Sequence, residues 1–99
     1  MSVLVEKKGE VVTIKVQGEF NFHAHDDFRK AYESQPKGCS YRIDLSRVEH
    51  LDSSAFGMLL MLREKAGGEK HSVTLVRPTA DVRKLLEVVR FDGQFQIES

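Results

Sequence analysis

The chain has no tryptophan, a single cysteine and no excess of either charge: 15 Lys and Arg balance 15 Asp and Glu over 99 residues. Each shortage excludes something. Without a basic excess there is no electrostatic grip on a phosphate backbone, so nucleic acid is not an expected partner. Cys39 alone forms no internal disulfide, which fits a reducing cytoplasm; after Gly38 it reads as a strand-entry residue rather than a nucleophile. The longest apolar run, Met58 to Leu62, is far too short to cross a bilayer, and the stretch from Met1 to Lys8 lacks the apolar segment of a signal peptide. A soluble cytoplasmic protein with no membrane partner is expected. His23, His25, His50 and His71 make no recognisable metal set, and no cofactor is implied. Gly67-Gly68 is not followed by the Lys-Ser/Thr of a phosphate-binding loop, and there is no Gly-x-Ser-x-Gly elbow.

What is present is a regular alternation of strand and helix signals. Val3-Leu4-Val5 is a weak strand candidate, followed by a turn at Gly9-Glu10. Val12, Ile14 and Val16 alternate with Thr13, Lys15 and Gln17 in a half-buried strand over 11–17. Ala24, Phe28, Ala31 and Tyr32 fall at helical spacing, and Pro36 and Gly38 end that unit. Tyr41, Ile43 and Leu45 alternate again, and a strongly apolar helix runs from about Ala55 to Ala66. Val73 and Leu75 mark a short strand. Pro78-Thr79 opens a helix whose apolar stripe is Val82, Leu85, Leu86 and Val89. Phe95 and Ile97 close the chain as a strand.

The order β-β-α-β-α-β-α-β predicts one α/β domain over residues 1–99, with a mixed, mostly parallel sheet of four to five strands. Sheets covered on both faces have continuously apolar strands, whereas these alternate, so the helices are expected mainly on one face. Val12, Ile14, Val16, Tyr41, Ile43, Leu45, Val73, Leu75, Phe95 and Ile97 should point inward.

The most informative segment is Asp52-Ser53-Ser54-Ala55-Phe56-Gly57, between the strand at Tyr41–Ser46 and the apolar helix. A helix start leaves unpaired N–H groups and partial positive charge. Asp or Ser there serves as a cap, and a phosphate there would also be favoured. From the residues alone both readings stand: a plain cap, or a modifiable serine on display. At 100° per residue, Ala55, Leu59, Leu62 and Ala66 form the inner stripe with Phe56 beside them. The other side carries Ser53, Ser54, Gly57, Met61, Glu64 and Lys65, flanked by Met58 and Leu60, and is not polar in its first two turns. Gly57 costs roughly 1 kcal/mol relative to Ala in a helix interior, which calls for a reason. Contact with a neighbouring helix is one account; a partner surface at Gly57, Met58, Met61 and Lys65 is the other.

In this order of elements, strand, Asp-Ser-Ser-(small)-x-Gly and apolar helix ending in Gly67-Gly68 resemble the STAS domain family, whose soluble members include bacterial anti-sigma factor antagonists. The resemblance runs from Val11 to Ile97 and includes Gly18-Glu19-Phe20-Asn21 ahead of the first helix. It implies a non-enzymatic switch in which Ser53 is the phosphoacceptor, with Asp52, Ser54 and Asn21 as its surroundings. The family usually offers Asp where this chain has Asn21, so an acidic role there is in question, and Asn21 also fits a simple turn or cap. Implied partners are an anti-sigma factor or protein serine kinase and a serine phosphatase, and a monomer is expected. Two alternatives stay open: a STAS adaptor or scaffold in another signalling complex, and a small enzyme using Ser53 as nucleophile.

Overall fold

A computed structural model describes residues 2–99; Met1, first residue of the expected domain, lies outside the described residues. The elements are β1 (Ser2–Lys8), β2 (Val11–Phe20), α1 (His25–Glu33), β3 (Ser40–Leu51), α2 (Ser53–Lys65), β4 (Val73–Val76), α3 (Ala80–Val88) and β5 (Gln96–Glu98). Short 3-10 turns at Phe22–Ala24, Lys70–Ser72 and Phe91–Gly93 join them. The five strands lie in sequence order. β1 and β2 are antiparallel across a tight turn in which Gly9 takes φ 62°, a conformation open to glycine at little cost. The other three pairings are parallel. The architecture is the expected α/β one, with a mixed, mostly parallel sheet.

Alternation decides which face the helices take. Val12, Ile14, Val16, Tyr41, Ile43, Leu45, Val73, Leu75 and Phe95 are buried in one continuous core with Phe28 and Tyr32 of α1, Leu59 and Leu62 of α2, and Val82 and Leu86 of α3. Ile97 is half-buried against that core. Tyr41 Oη also donates to the Tyr32 carbonyl at 3.4 Å, tying β3 to the end of α1. The opposite face is half-exposed and charged. Lys15 meets Glu6 at 3.1 Å, Arg42 meets Glu98 at 2.9 Å, and Arg77 meets Asp44 at 3.3 Å.

Two details depart from simple alternation. β3 continues five residues beyond the expected Ser46, and its buried residues there are Leu45, Val48 and Leu51, three apart. The register explains this. Lys15 faces Asp44 but Gln17 faces Arg47, and Gly18 faces Val48 but Glu19 faces His50. β3 therefore carries one extra residue at each of two bulges, and each returns the next apolar side chain to the core. On α3, Leu85 was expected in the apolar stripe but is exposed. It sits at the stripe's margin, while Val82, Leu86 and the half-buried Val89 face the core.

Arg77, just after β4, is held at φ 47°, with its N–H donating to the Glu98 carbonyl at 2.6 Å. A left-handed conformation costs a side-chain-bearing residue about 1–2 kcal/mol. Its exposed guanidinium pairs with Asp44, whose side chain is only 12% exposed.

Candidate functional site

The extended β3 delivers Asp52 beside the end of β2, where its N–H donates to the Phe20 carbonyl at 3.4 Å. Asp52 is the N-cap of α2, in extended conformation at φ −117° and ψ −175°. Its Oδ1 accepts from Ser54 N at 3.0 Å, Ala55 N at 3.3 Å and Ser54 Oγ at 2.5 Å. These bonds, the Ser54 hydroxyl foremost, hold the Asp52 carboxyl below its ordinary pKa.

The two serines therefore differ. Ser54 is half-buried and its hydroxyl closes the cap. Ser53 is exposed, and its hydroxyl has no hydrogen-bond partner among the described residues. One expectation needs correcting: the helix start was read as offering free N–H groups for a phosphate on Ser53. Two of them, on Ser54 and Ala55, are taken by Asp52. A phosphate there would compete with the cap rather than fall into an empty cradle.

Asn21 lies just past the strand end that holds Asp52. It caps the 3-10 turn: Oδ1 accepts from His23 N at 3.0 Å, and Nδ2 donates to Glu19 Oε2 at 3.3 Å. That is the local turn role. Phe20 and Phe22 flank it on opposite sides of the chain. Phe20 is fully buried, whereas Phe22 is 70% exposed and contacts the rings of His23 and His25. In extended chain a residue two after the buried Phe20 would share its side; the 3-10 turn at Phe22–Ala24 breaks that period and leaves the Phe22 ring outside, which no local sequence period announces.

Down the outer side of α2, Ser53, Gly57, Met61 and Lys65 recur at intervals of four, all exposed. Met61 is 55% exposed. A Cβ built on Gly57 meets nothing within 4 Å, so packing within the chain gives no reason for the glycine. Met58, expected with the partner-binding set, is instead buried in the core at 4% exposure. It lies three residues from Ala55 and four from Leu62, inside the stripe rather than beside it. Lys65 keeps an exposed side chain, but its Nζ donates to the carbonyls of Glu33 and Gln35 at 3.4 and 3.2 Å, binding α2 to the end of α1. No group of three or more His, Cys, Asp or Glu side chains is placed to hold a metal among the described residues, and no described helix is long and apolar enough to cross a membrane.

The comparisons with known proteins bear on the chain as a whole. A family model for "Mlab, STAS domain" matches residues 3–98. The chain belongs to the STAS domain family. A STAS-domain containing protein of Pseudomonas aeruginosa (strain UCBPP-PA14) is 43% identical over 100 residues, covering 98% of this chain and 97% of that protein. Among solved structures, an anti-sigma factor antagonist from Mycobacterium paratuberculosis matches this STAS domain with a TM-score of 0.80 and 25% identity, over 98% of this chain and 84% of its own. The antagonist SpoIIAA in its unphosphorylated form matches with a TM-score of 0.73 at 20% identity, over 99% and 88% of the two chains. The phosphorylated form of SpoIIAA, a Bacillus cell fate determinant, gives 0.68 at 18%, over 99% and 92%. At these last two identities the likeness is one of fold.

Proposed function

We propose that this STAS domain is a protein-interaction switch, an anti-sigma factor antagonist whose state is set by phosphorylation of Ser53. The observation that carries the reading is the division of labour between the serines: Ser54 closes the cap, and Ser53 is exposed with an unengaged hydroxyl. A kinase can take the Ser53 hydroxyl without dismantling the helix start. The unphosphorylated domain binds an anti-sigma factor or protein serine kinase through the outer stripe of α2. Gly57 admits close approach, and Met61 supplies an adaptable apolar contact.

A phosphate on Ser53 brings a charge of about −1.5 to −2 at neutral pH. Asp52 is already ionised next to it, and the nearest N–H groups are engaged. The added charge therefore faces outward, and a bound partner would have to desolvate it. The modification ejects the partner and leaves the domain folded. That SpoIIAA has been seen in unphosphorylated and phosphorylated forms with the same fold supports this separation of binding from folding. A serine phosphatase resets the switch, and the domain itself catalyses nothing.

The test is affinity capture from the native cell with wild type, Ser53→Ala and Ser53→Asp as baits, each shown to be folded. A kinase-fold anti-sigma factor retained by wild type and Ser53→Ala and lost by Ser53→Asp supports the switch. A partner set indifferent to charge at Ser53 overturns it, and a covalent acyl adduct on Ser53 with activated esters would mark an enzyme instead.

A further inference from the structure

On the sheet face away from the helices, a hollow of about 390 Å3 opens over the middle of β1, β2 and β3, beside the end of β4. The charged residues lining this hollow are Lys15, Arg47, Arg77 and Asp44, three cations against one carboxylate. Lys15 is paired with Glu6, and Arg77 with Asp44 through a single nitrogen, Nη2. The Arg47 side chain has no partner among the described residues.

The backbone is shaped to put these groups there. The first bulge of β3 places Ser46 and Arg47 consecutively on the outside, where regular alternation would have turned Arg47 toward the core. Arg77 stands in a left-handed position that glycine would fill at less cost, with its guanidinium on Asp44. Asp44 acts as an anchor. Its Oδ1 accepts from Ser46 N and Oγ, and its Oδ2 accepts from Arg77. Burial alone would raise its pKa, but the Ser46 hydrogen bonds and the Arg77 charge hold it below the usual carboxylate value. With both its oxygens engaged, Asp44 orients one cation and leaves the other two to face the hollow.

We propose that this hollow is a binding site for a small dianionic phosphate, free or as the monoester of a small molecule, held by Arg47 and Arg77 with Lys15 at the rim. Guanidinium forks match phosphate oxygens, and the concave shape suits a small ligand rather than a flat protein surface. The proposal is independent of the Ser53 reading.

The experiment is an NMR titration of the intact chain with inorganic phosphate, against sodium chloride at matched ionic strength, following backbone amides and arginine side chains. Saturable shifts centred on Ser46, Arg47 and Arg77 are expected. Arg47→Ala and Arg77→Gly should each weaken phosphate about fivefold or more, as loss of a charged hydrogen bond requires. Arg47 is exposed and its side chain has no partner among the described residues, so Arg47→Ala should keep the wild-type melting temperature, and lost affinity there is not lost structure. Repeating the titration with glycerol 3-phosphate separates the sources: equal or tighter binding supports a monoester, and weaker binding supports free phosphate. Linear shifts reproduced by chloride, shifts centred on the start of α2, or affinity unchanged in both variants would overturn the proposal.

Discussion

Along one side of α2, Ala55, Met58, Leu59 and Leu62 are buried at spacings of three and four; along the other, Ser53, Gly57, Met61 and Lys65 are exposed at intervals of four. Both sides contain a methionine, and hydrophobicity alone does not tell them apart. Position does. Met58 fills the core at 4% exposure, while Met61, three residues later, is 55% exposed. The inner side is fixed by what the sheet needs. The outer side carries a glycine, a methionine and a free hydroxyl for which the fold itself gives no reason. A helix that serves stability on one face is thus free to serve recognition on the other.

The largest effect expected from breaking this comparison is on the inner side. Leu59→Ala should destabilise the domain by about 2–5 kcal/mol, as a core cavity does. Met58→Lys, which buries an unpaired charge, should cost about 3 kcal/mol or more. Met61→Lys should lie within about 0.5 kcal/mol of wild type and act only on partner affinity. Urea denaturation of the three variants checks this; equal midpoints for Met58→Lys and Met61→Lys would erase the distinction between the faces.

Next is the cap that separates the two sides at their start. Asp52→Ala should cost about 1 kcal/mol, the usual loss for an N-cap. Asp52 also sets a pH dependence. Its folded pKa is lowered, chiefly by the Ser54 hydroxyl, so its contribution is fully present above the unfolded carboxylate pKa and is lost as pH falls through the lower folded value. Asp52→Asn can still cap but has no proton to exchange. Its melting temperature should therefore lose less than wild type does on acidification below about pH 4. Parallel acid profiles for the two proteins would remove this role from Asp52.

How far all this was legible depended on whether a signal was local. Val12-Ile14-Val16 and Tyr41-Ile43-Leu45 announce a one-sided sheet through their period of two, and Asp52 announces a helix start by its chemistry. The remainder of β3 was hidden, because two bulges replace the period of two with steps of three from Leu45 to Val48 to Leu51. A bulge is set by the partner strand, which a single segment does not record. Met58 was misplaced for a related reason: the width of a helix's buried stripe depends on what lies beside it, here α1 as well as the sheet. At the site, the cap residue was readable, but which serine Asp52 engages is a matter of side-chain direction.

A smaller effect, of opposite sign, should come from the middle of the outer side. Gly57→Ala meets open space and removes the helix-interior cost of glycine, so it should stabilise the domain by up to about 1 kcal/mol. If the partner approaches closely there, the same methyl group should weaken binding. A variant that melts higher and binds less well separates recognition from folding in one substitution. Higher stability with unchanged affinity would leave Gly57 without a role in the interface.

The smallest expected change in stability carries the sharpest test, because Ser53 and Ser54 are adjacent, identical in chemistry and different in what they touch. Ser54→Ala removes the 2.5 Å bond that Asp52 receives, so the melting temperature should fall slightly and the Asp52 pKa should rise toward its ordinary value. Ser53→Ala removes a hydroxyl with no hydrogen-bond partner among the described residues, and stability should stay within about 0.5 kcal/mol of wild type. Phosphorylation should show the reverse pattern. A partner kinase should add one phosphate to wild type and to Ser54→Ala, and none to Ser53→Ala. The physical ground is that phosphorylating Ser54 would place a dianion against the carboxylate that its hydroxyl now contacts and would open the cap. Ser53 is exposed and takes no part in the cap's hydrogen bonds, so a phosphate there should leave the helix start intact. Mass spectrometry of the modified peptide decides between them, and a phosphate found on Ser54 would mean that the cap opens for the kinase, making the switch a local unfolding of the helix start rather than a change of surface charge.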